Sequence, residues 1–258
     1  MGTPATTKII TLITGANQGV GFETARILAL GSSSYHIILG SRTLSKGEAA
    51  AKKLQALAGI KGTVAAIQLD VTDDASVNAA ATAVEAEHGR LDVLVNNAGI
   101  FRHGPTPRAA AREIFETNVV GYISVTEVFL PLLQRSAGDS HAPRLVFVSS
   151  STGSITHASD PNSRYYAAAA NEYRAGNAAR NMLMNQYWVR LQKEGFKVFG
   201  ADSGLTATNF VDPAMTRSRG AVEPEVGGER IACVVRGDRD ADVGRVWRVW
   251  CVSLVRYW

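Results

Sequence analysis

Residues 8–21 read KIITLITGANQGVG. The first seven are an apolar, β-branched run of strand type. The run ends in a turn carrying Gly15, Gly19 and Gly21. GFETARILAL then places Phe22, Ala25, Ile27 and Leu28 at helical spacing. A strand that passes through glycines into a helix turns backbone N–H groups toward any anion held at the helix N-terminus. Gly15 would make the turn, Gly19 would allow close approach of a pyrophosphate, and Gly21 would let the helix pack on the sheet. Asn17 and Val20 belong to the same loop. The spacing is G-x-x-x-G-x-G rather than G-x-G-x-x-G, and a turn that merely needs glycine is the plainer reading of the same residues.

The alternation continues along the chain. Strands are expected at Tyr35–Gly40, Thr63–Asp70, Leu91–Gly99, Arg144–Ser150 and Phe196–Asp202. Helices are expected at Ser45–Gly59, about Asp74–His88, Ala111–Leu133 and about Tyr173–Glu194. Strand and helix in strict alternation predict an α/β, doubly wound, Rossmann-type parallel sheet with helices on both faces. No linker or repeat divides the chain, so residues 1–258 are expected to form a single domain, with a substrate loop at about 204–230. In such sheets ligands sit beyond the carboxyl ends of the strands.

Composition narrows the function classes. Hydrophobic residues make up 46% and charged residues 19%, as in an ordinary soluble protein. Basic residues exceed acidic ones by four and are scattered, so no nucleic-acid stripe is present. The two cysteines form no CxxC pair, and no metal site is indicated. The apolar run at Lys8–Thr14 is too short to span a bilayer, so no membrane partner and a cytoplasmic location are expected.

Further motifs give the strands a chemistry. NNAG (Asn96–Gly99) follows strand four, Asp70-Val71 follows strand three, ETNVVG contains Asn118, and VSSSTG ends strand five. With Thr14-Gly15-x-x-x-Gly19-x-Gly21, these resemble the short-chain dehydrogenase/reductase family over about residues 8–210. The resemblance implies a nicotinamide cofactor bound by the glycine loop, by Asp70 and Val71, and by Asn97, Ala98 and Gly99. It further implies Asn118 as the active-site asparagine and, by register with Gly153, Ser150 as the active-site serine. Strand two ends LGSRT, with Ser41 and Arg42 and no acid, which favours NADP(H) because an arginine pairs with a 2′-phosphate. A solvated surface arginine is the alternative reading.

In the family a tyrosine and a lysine four residues on share one helix face. Here YRAGNAA resembles that motif, with Tyr173 as the tyrosine, Gly176 in place of serine and Asn177 in place of lysine. Tyr165 and Tyr166 compete for the role but have alanine at i+4. Losing the cation would slow the reaction by on the order of 10¹–10³. Arg180, at i+7, could share the tyrosine's face. After strand six, Ser203-Gly204 replaces the family's Pro-Gly, and LTATNF offers Thr206 and Thr208 as nicotinamide contacts.

Three functional classes follow. The first is a carbonyl-reductase-like, NADP(H)-dependent oxidoreductase acting on a small-molecule carbonyl or alcohol substrate, with impaired activity. The second is a relative using NADP(H) in a non-redox step such as cyclisation, dehydration or isomerisation, and the third a non-catalytic NADP(H)-binding protein. Tyr165, Tyr166, Phe210 and Met215 are expected to line the pocket. Val125, Phe129, Met182 and Trp188 are expected on outer helix faces where a homodimer or homotetramer would form. The Trp-rich end, residues 244–258, is expected to make a last strand and an aromatic tail.

Overall fold

The computed structural model describes residues 8–137 and 142–248. Its strands are β1 (Ile9–Thr14), β2 (Tyr35–Ser41), β3 (Thr63–Gln68), β4 (Val93–Asn96), β5 (Arg144–Ser149), β6 (Lys197–Asp202) and β7 (Val246–Arg248). They form one sheet in the order β3-β2-β1-β4-β5-β6-β7. Every neighbouring pair is parallel. The direction of winding reverses between β1 and β4, so a crevice opens at the carboxyl ends of those two strands.

Successive side chains on each strand feed opposite cores. Leu12, Leu94, Leu145, Phe147 and Val198 pack beneath α3 (Asp74–His88), α5 (Gly121–Gln134) and α7 (Asn171–Leu191). Ile13, Val95, Val146 and Phe199 pack beneath α1 (Gly19–Gly31), α2 (Leu44–Gln55) and α9 (Pro224–Arg236). Both faces are apolar because right-handed crossovers cover both with helices.

Two expectations need correction. The helix expected over Ala111–Leu133 is divided into α4 (Pro107–Phe115), a π-helical turn at Glu116–Val120, and α5. Val125 and Phe129 are fully buried in the core, and Trp188 packs against it; only Met182, 61% exposed, lies outside as expected. The exposed apolar residues of these helices and the turn before α5 are Val120, Ile123, Met182 and Val189. β7 supplies the expected last strand, whereas Trp250, Tyr257 and Trp258 lie outside the described residues.

Asp240 clamps the amino ends of two central strands. It accepts from Arg144 Nη1 at 2.6 Å and Nη2 at 3.0 Å, and it also pairs with Lys197. Burial pushes its carboxyl up, but Arg144 and Lys197 outweigh burial and hold it below the usual carboxylate range. A depressed folded value means the contribution is present above about pH 4 and is lost as pH falls through the folded value. Asp240→Asn is therefore expected to lower stability at pH 7 by about 1–2 kcal/mol, after allowing for partial exposure. Urea unfolding at pH 7 and pH 3 checks this: the gap between wild type and variant should narrow at the lower pH.

Candidate active site

The crevice floor is built by β1 and β4 together. Gly15 has φ +64°, and a Cβ there would stand 2.9 Å from Ala98 Cα. Gly19 has φ +63°, and a Cβ there would stand 3.7 Å from the Thr208 side chain. A Cβ on Gly21 would stand 2.5 Å from Asn97 Nδ2. Side chains are therefore disfavoured at these three glycines by conformation or by contact. Thr14 Oγ1 accepts from the backbone N–H groups of Asn97 and Ala98, each at 2.9 Å, and Asn97 Nδ2 donates to the Thr14 carbonyl at 2.7 Å. Gly99 continues the floor toward Asn118 Oδ1 and Phe210. Val20, at the start of α1, packs toward Gly227 of α9.

At the other end of the crevice, the Ala16 N–H donates to the Gly40 carbonyl at 3.1 Å, tying the glycine turn to the end of β2. Arg42 is exposed, and its guanidinium makes no hydrogen bond or ion pair among the described residues. The Asn17 side chain likewise has no partner among them. Ser41, beside Arg42 in sequence, is 1% exposed, and its hydroxyl donates to the Thr43 carbonyl at 2.9 Å, just before α2. Asp70 Oδ1 accepts from Thr72 N at 3.0 Å and Oγ1 at 2.7 Å, and Val71 is buried against Gly121.

The carboxyl ends of β5 and β6 carry the candidate serine and the turn that follows it. Ser150 Oγ accepts from the backbone N–H of Thr152 at 3.2 Å and from its hydroxyl at 2.9 Å. Asp202, 3% exposed, accepts from the Ser151 N–H at 2.8 Å and from its hydroxyl, and so holds the turn after Ser150. A Cβ on Gly153 would lie 2.6 Å from the Asn177 carbonyl carbon, so this turn and α7 meet only through a glycine. Asn118 is fully buried in the π-helical turn; it donates to the Ile100 carbonyl and accepts from the Ile100 N–H, both at 2.8 Å.

Tyr173 sits in the first turn of α7, its ring 5.2 Å from Phe101 and 5.8 Å from Phe210, centroid to centroid. Its hydroxyl makes no hydrogen bond among the described residues. Phe210 belongs to the same loop as Thr208, which lies against Gly19. The tyrosine is thereby joined to the glycine turn through one loop. Tyr165 packs on His157 under Arg164, while Tyr166 is 57% exposed. Arg174 donates to the carbonyls of Tyr165 and Ala167 at 2.7 and 2.8 Å, anchoring the segment that leads into α7. That segment ends at Ala170, φ +52°, a left-handed conformation that costs a non-glycine residue about 1 kcal/mol or more.

Asn177 is fully buried. Its Nδ2 donates to Thr152 Oγ1 at 2.8 Å, and its Oδ1 accepts from Arg180 Nη2. Arg180, 4% exposed, also donates through Nη1 to the Val148 carbonyl at 2.9 Å and the Tyr122 hydroxyl at 3.1 Å. Burial pushes the Tyr122 hydroxyl up, against the pull of Arg180.

After β6 the chain turns at Gly204, φ +77°. Ser203 lacks proline's ring, and Arg230 of α9 donates to its carbonyl at 2.8 Å instead. Thr206 Oγ1 donates to the Gly204 carbonyl at 3.1 Å, and the base of the following loop is closed by Ala207 N–H to the Val222 carbonyl and Val222 N–H to the Leu205 carbonyl, each at 2.9 Å. Within that loop lies α8 (Pro213–Ser218), where Met215 is 43% exposed. Sequence reading missed Phe101, Thr152, Asp202 and Arg230. Only Asp202, the polar last residue of β6, and Thr152, in the VSSSTG stretch that runs on from β5, carried a signal.

A glycine turn at the switch point of a parallel, doubly wound sheet defines a dinucleotide-binding protein. The short chain dehydrogenase family matches residues 9–218, and the chain belongs to this family of oxidoreductases. It is 35% identical over 259 aligned positions to the short-chain dehydrogenase/reductase tropE of Talaromyces stipitatus, covering 93% of this chain and 94% of the relative. It is similar to NADPH-bound carbonyl reductase from chicken fatty liver, with TM-score 0.75, 26% identity and coverage of 93% and 91%. It shares its fold with 3-ketoacyl-(acyl-carrier-protein) reductase from Brucella melitensis, crystallised with NADH, with TM-score 0.75, 21% identity and coverage of 93% and 96%. No described helix is long and apolar enough to cross a membrane.

Proposed function

We propose that the protein is an NADP(H)-dependent reductase of a small-molecule carbonyl compound, running in reverse on the alcohol. The observation that carries this reading is the Tyr173 hydroxyl, unpartnered among the described residues, with its ring held between Phe101 and Phe210, the latter on the loop that meets the glycine turn. The glycine turn that leads from the carboxyl end of β1 into the N-terminus of α1 fits a dinucleotide pyrophosphate. NADP(H), when bound there, supplies the hydride. Tyr173 donates the proton to the substrate oxygen, and Ser150 donates a hydrogen bond to the same oxygen. Asn118 fixes the backbone at Ile100, next to Phe101. Without a lysine at 177, the tyrosine works at reduced efficiency. The carbonyl compound fits among Phe101, Phe210 and Met215. Under this reading the protein acts in the cytoplasm as a homodimer or homotetramer, pairing through Met182, Val189 and Ile123.

Purified protein with NADPH and a panel of aryl and alicyclic ketones tests this at 340 nm. Absorbance loss matched one-to-one by alcohol is expected; tight NADPH binding with no ketone consumed by any member would overturn it. The cofactor preference rests on Arg42 and the lack of an acid beside it. Arg42→Ala is expected to weaken NADPH binding about 10–100-fold, the value of one or two charge-assisted hydrogen bonds, and to leave NADH unchanged. Fluorescence titration with both cofactors checks the difference.

A further inference from the structure

The geometry points to Arg180 as a positioning residue that sets the direction of a hydrogen-bond chain ending at Ser150. This inference rests on the carbonyl-reductase reading for its kinetic consequence. The chain runs from Arg180 Nη2 to Asn177 Oδ1, from Asn177 Nδ2 to Thr152 Oγ1, and from the Thr152 hydroxyl to Ser150 Oγ. The first two directions are forced by the donor and acceptor chemistry of the groups, and the third is the donor order of the Thr152–Ser150 contact. A guanidinium has donors only, so the amide must offer it the oxygen. Asn177 is fully buried, and its nitrogen is then left facing Thr152, where it can only donate. Thr152 Oγ1 accepts from Asn177 and donates its own O–H to Ser150 Oγ at 2.9 Å. Ser150 Oγ now accepts from both the hydroxyl and the N–H of Thr152, which fills its acceptor positions. Its own O–H has no partner among the described residues and is left to donate. A serine that polarises a carbonyl needs that polarity.

Arg180 is suited to impose it. The guanidinium is 4% exposed and makes no ion pair with a carboxylate among the described residues. Its Nη1 is held by the Val148 carbonyl and the Tyr122 hydroxyl, so Nη2 is fixed toward Asn177. The charge does not have to reach Tyr173; its effect is carried by proton order along three side chains.

Asn177→Asp is the informative variant. It keeps an acceptor toward Arg180 and makes the contact an ion pair, but it puts a second acceptor where Nδ2 donated. The Thr152 hydroxyl then turns to the carboxylate, and the Ser150 proton is drawn back to Thr152. Melting temperature is expected to hold or rise and the NADPH dissociation constant to stay unchanged, while kcat falls about 10–100-fold, somewhat less than deletion of an oxyanion donor. Arg180→Leu and Thr152→Val should each lower kcat, and the double variant should lose no more than the worse single one, because the residues act as a unit. Undiminished kcat in Asn177→Asp, or losses that multiply in the double variant, would overturn the relay. A measurement independent of turnover separates this from the function itself. Hydrogen exchange of the Asn177 side-chain amide, read by NMR, should be slow in wild type and fast in Arg180→Leu. If no ketone is reduced but that protection is seen and lost, the relay stands and the reductase reading fails. If protection is unaffected by Arg180→Leu, the relay fails.

Discussion

Tyr173→Phe is expected to lower kcat for carbonyl reduction by on the order of 10²–10⁴, the range for removing a positioned general acid. The change deletes one oxygen and nothing else. That oxygen has no hydrogen bond to lose among the described residues, and the ring keeps its contacts with Phe101 and Phe210. Stability and NADPH affinity should therefore match wild type, so a loss of rate reads as a loss of chemistry. Stopped-flow NADPH oxidation with the best ketone of the panel measures it. A variant that retains more than about a tenth of the rate assigns the proton to another group.

The second large effect concerns Asn177. Restoring the family's lysine looks like the direct repair of a missing charge. The structure predicts otherwise, because position 177 is sealed and already faces a guanidinium. Asn177→Lys would set a second cation against Arg180 without solvent to screen it. We expect a loss of stability on the order of 3 kcal/mol, the scale of an uncompensated buried charge, and no gain in rate. The double change Asn177→Lys with Arg180→Leu removes the repulsion and leaves a lysine four residues from Tyr173. It should recover the lost stability and exceed wild-type kcat by about 10-fold or more. Urea midpoints and turnover of the three proteins decide the matter. A single variant as stable as wild type and faster would show that Arg180 does not occupy the lysine's place.

What could be read in advance divides by the range of the forces involved. The glycine turn and the alternation of β1 through β6 were legible because strand periodicity and left-handed turns are local demands. The spacing of Ser150 from Gly153 is a local signal too, and Gly153 lies where the turn meets Asn177 of α7. The failures are long-range. The sequence does not show which way Ser41 faces; that is set by its packing against Gly47 of α2. Val125 and Phe129 were put on the wrong side of their helix. The π-helical turn at Glu116–Val120 breaks the regular period expected over residues 111–133, and only tertiary packing shows which face of α5 is covered. Arg180 was seen as a charge at helical spacing, but its grip on Asn177 depends on Tyr122 and Val148, which come from other elements.

The hydroxyl of Thr14, holding the backbone of Asn97 and Ala98 against the glycine turn, has a thermodynamic consequence. The walls that would receive a pyrophosphate are fixed by protein–protein bonds before any ligand arrives. The entropy lost in ordering them is charged to folding, not to binding. Association with a dinucleotide should accordingly be fast, with heat capacity change no larger than the contact area alone requires. Thr14→Ala would move that ordering into the binding step, and it would appear as a more unfavourable entropy at nearly unchanged enthalpy.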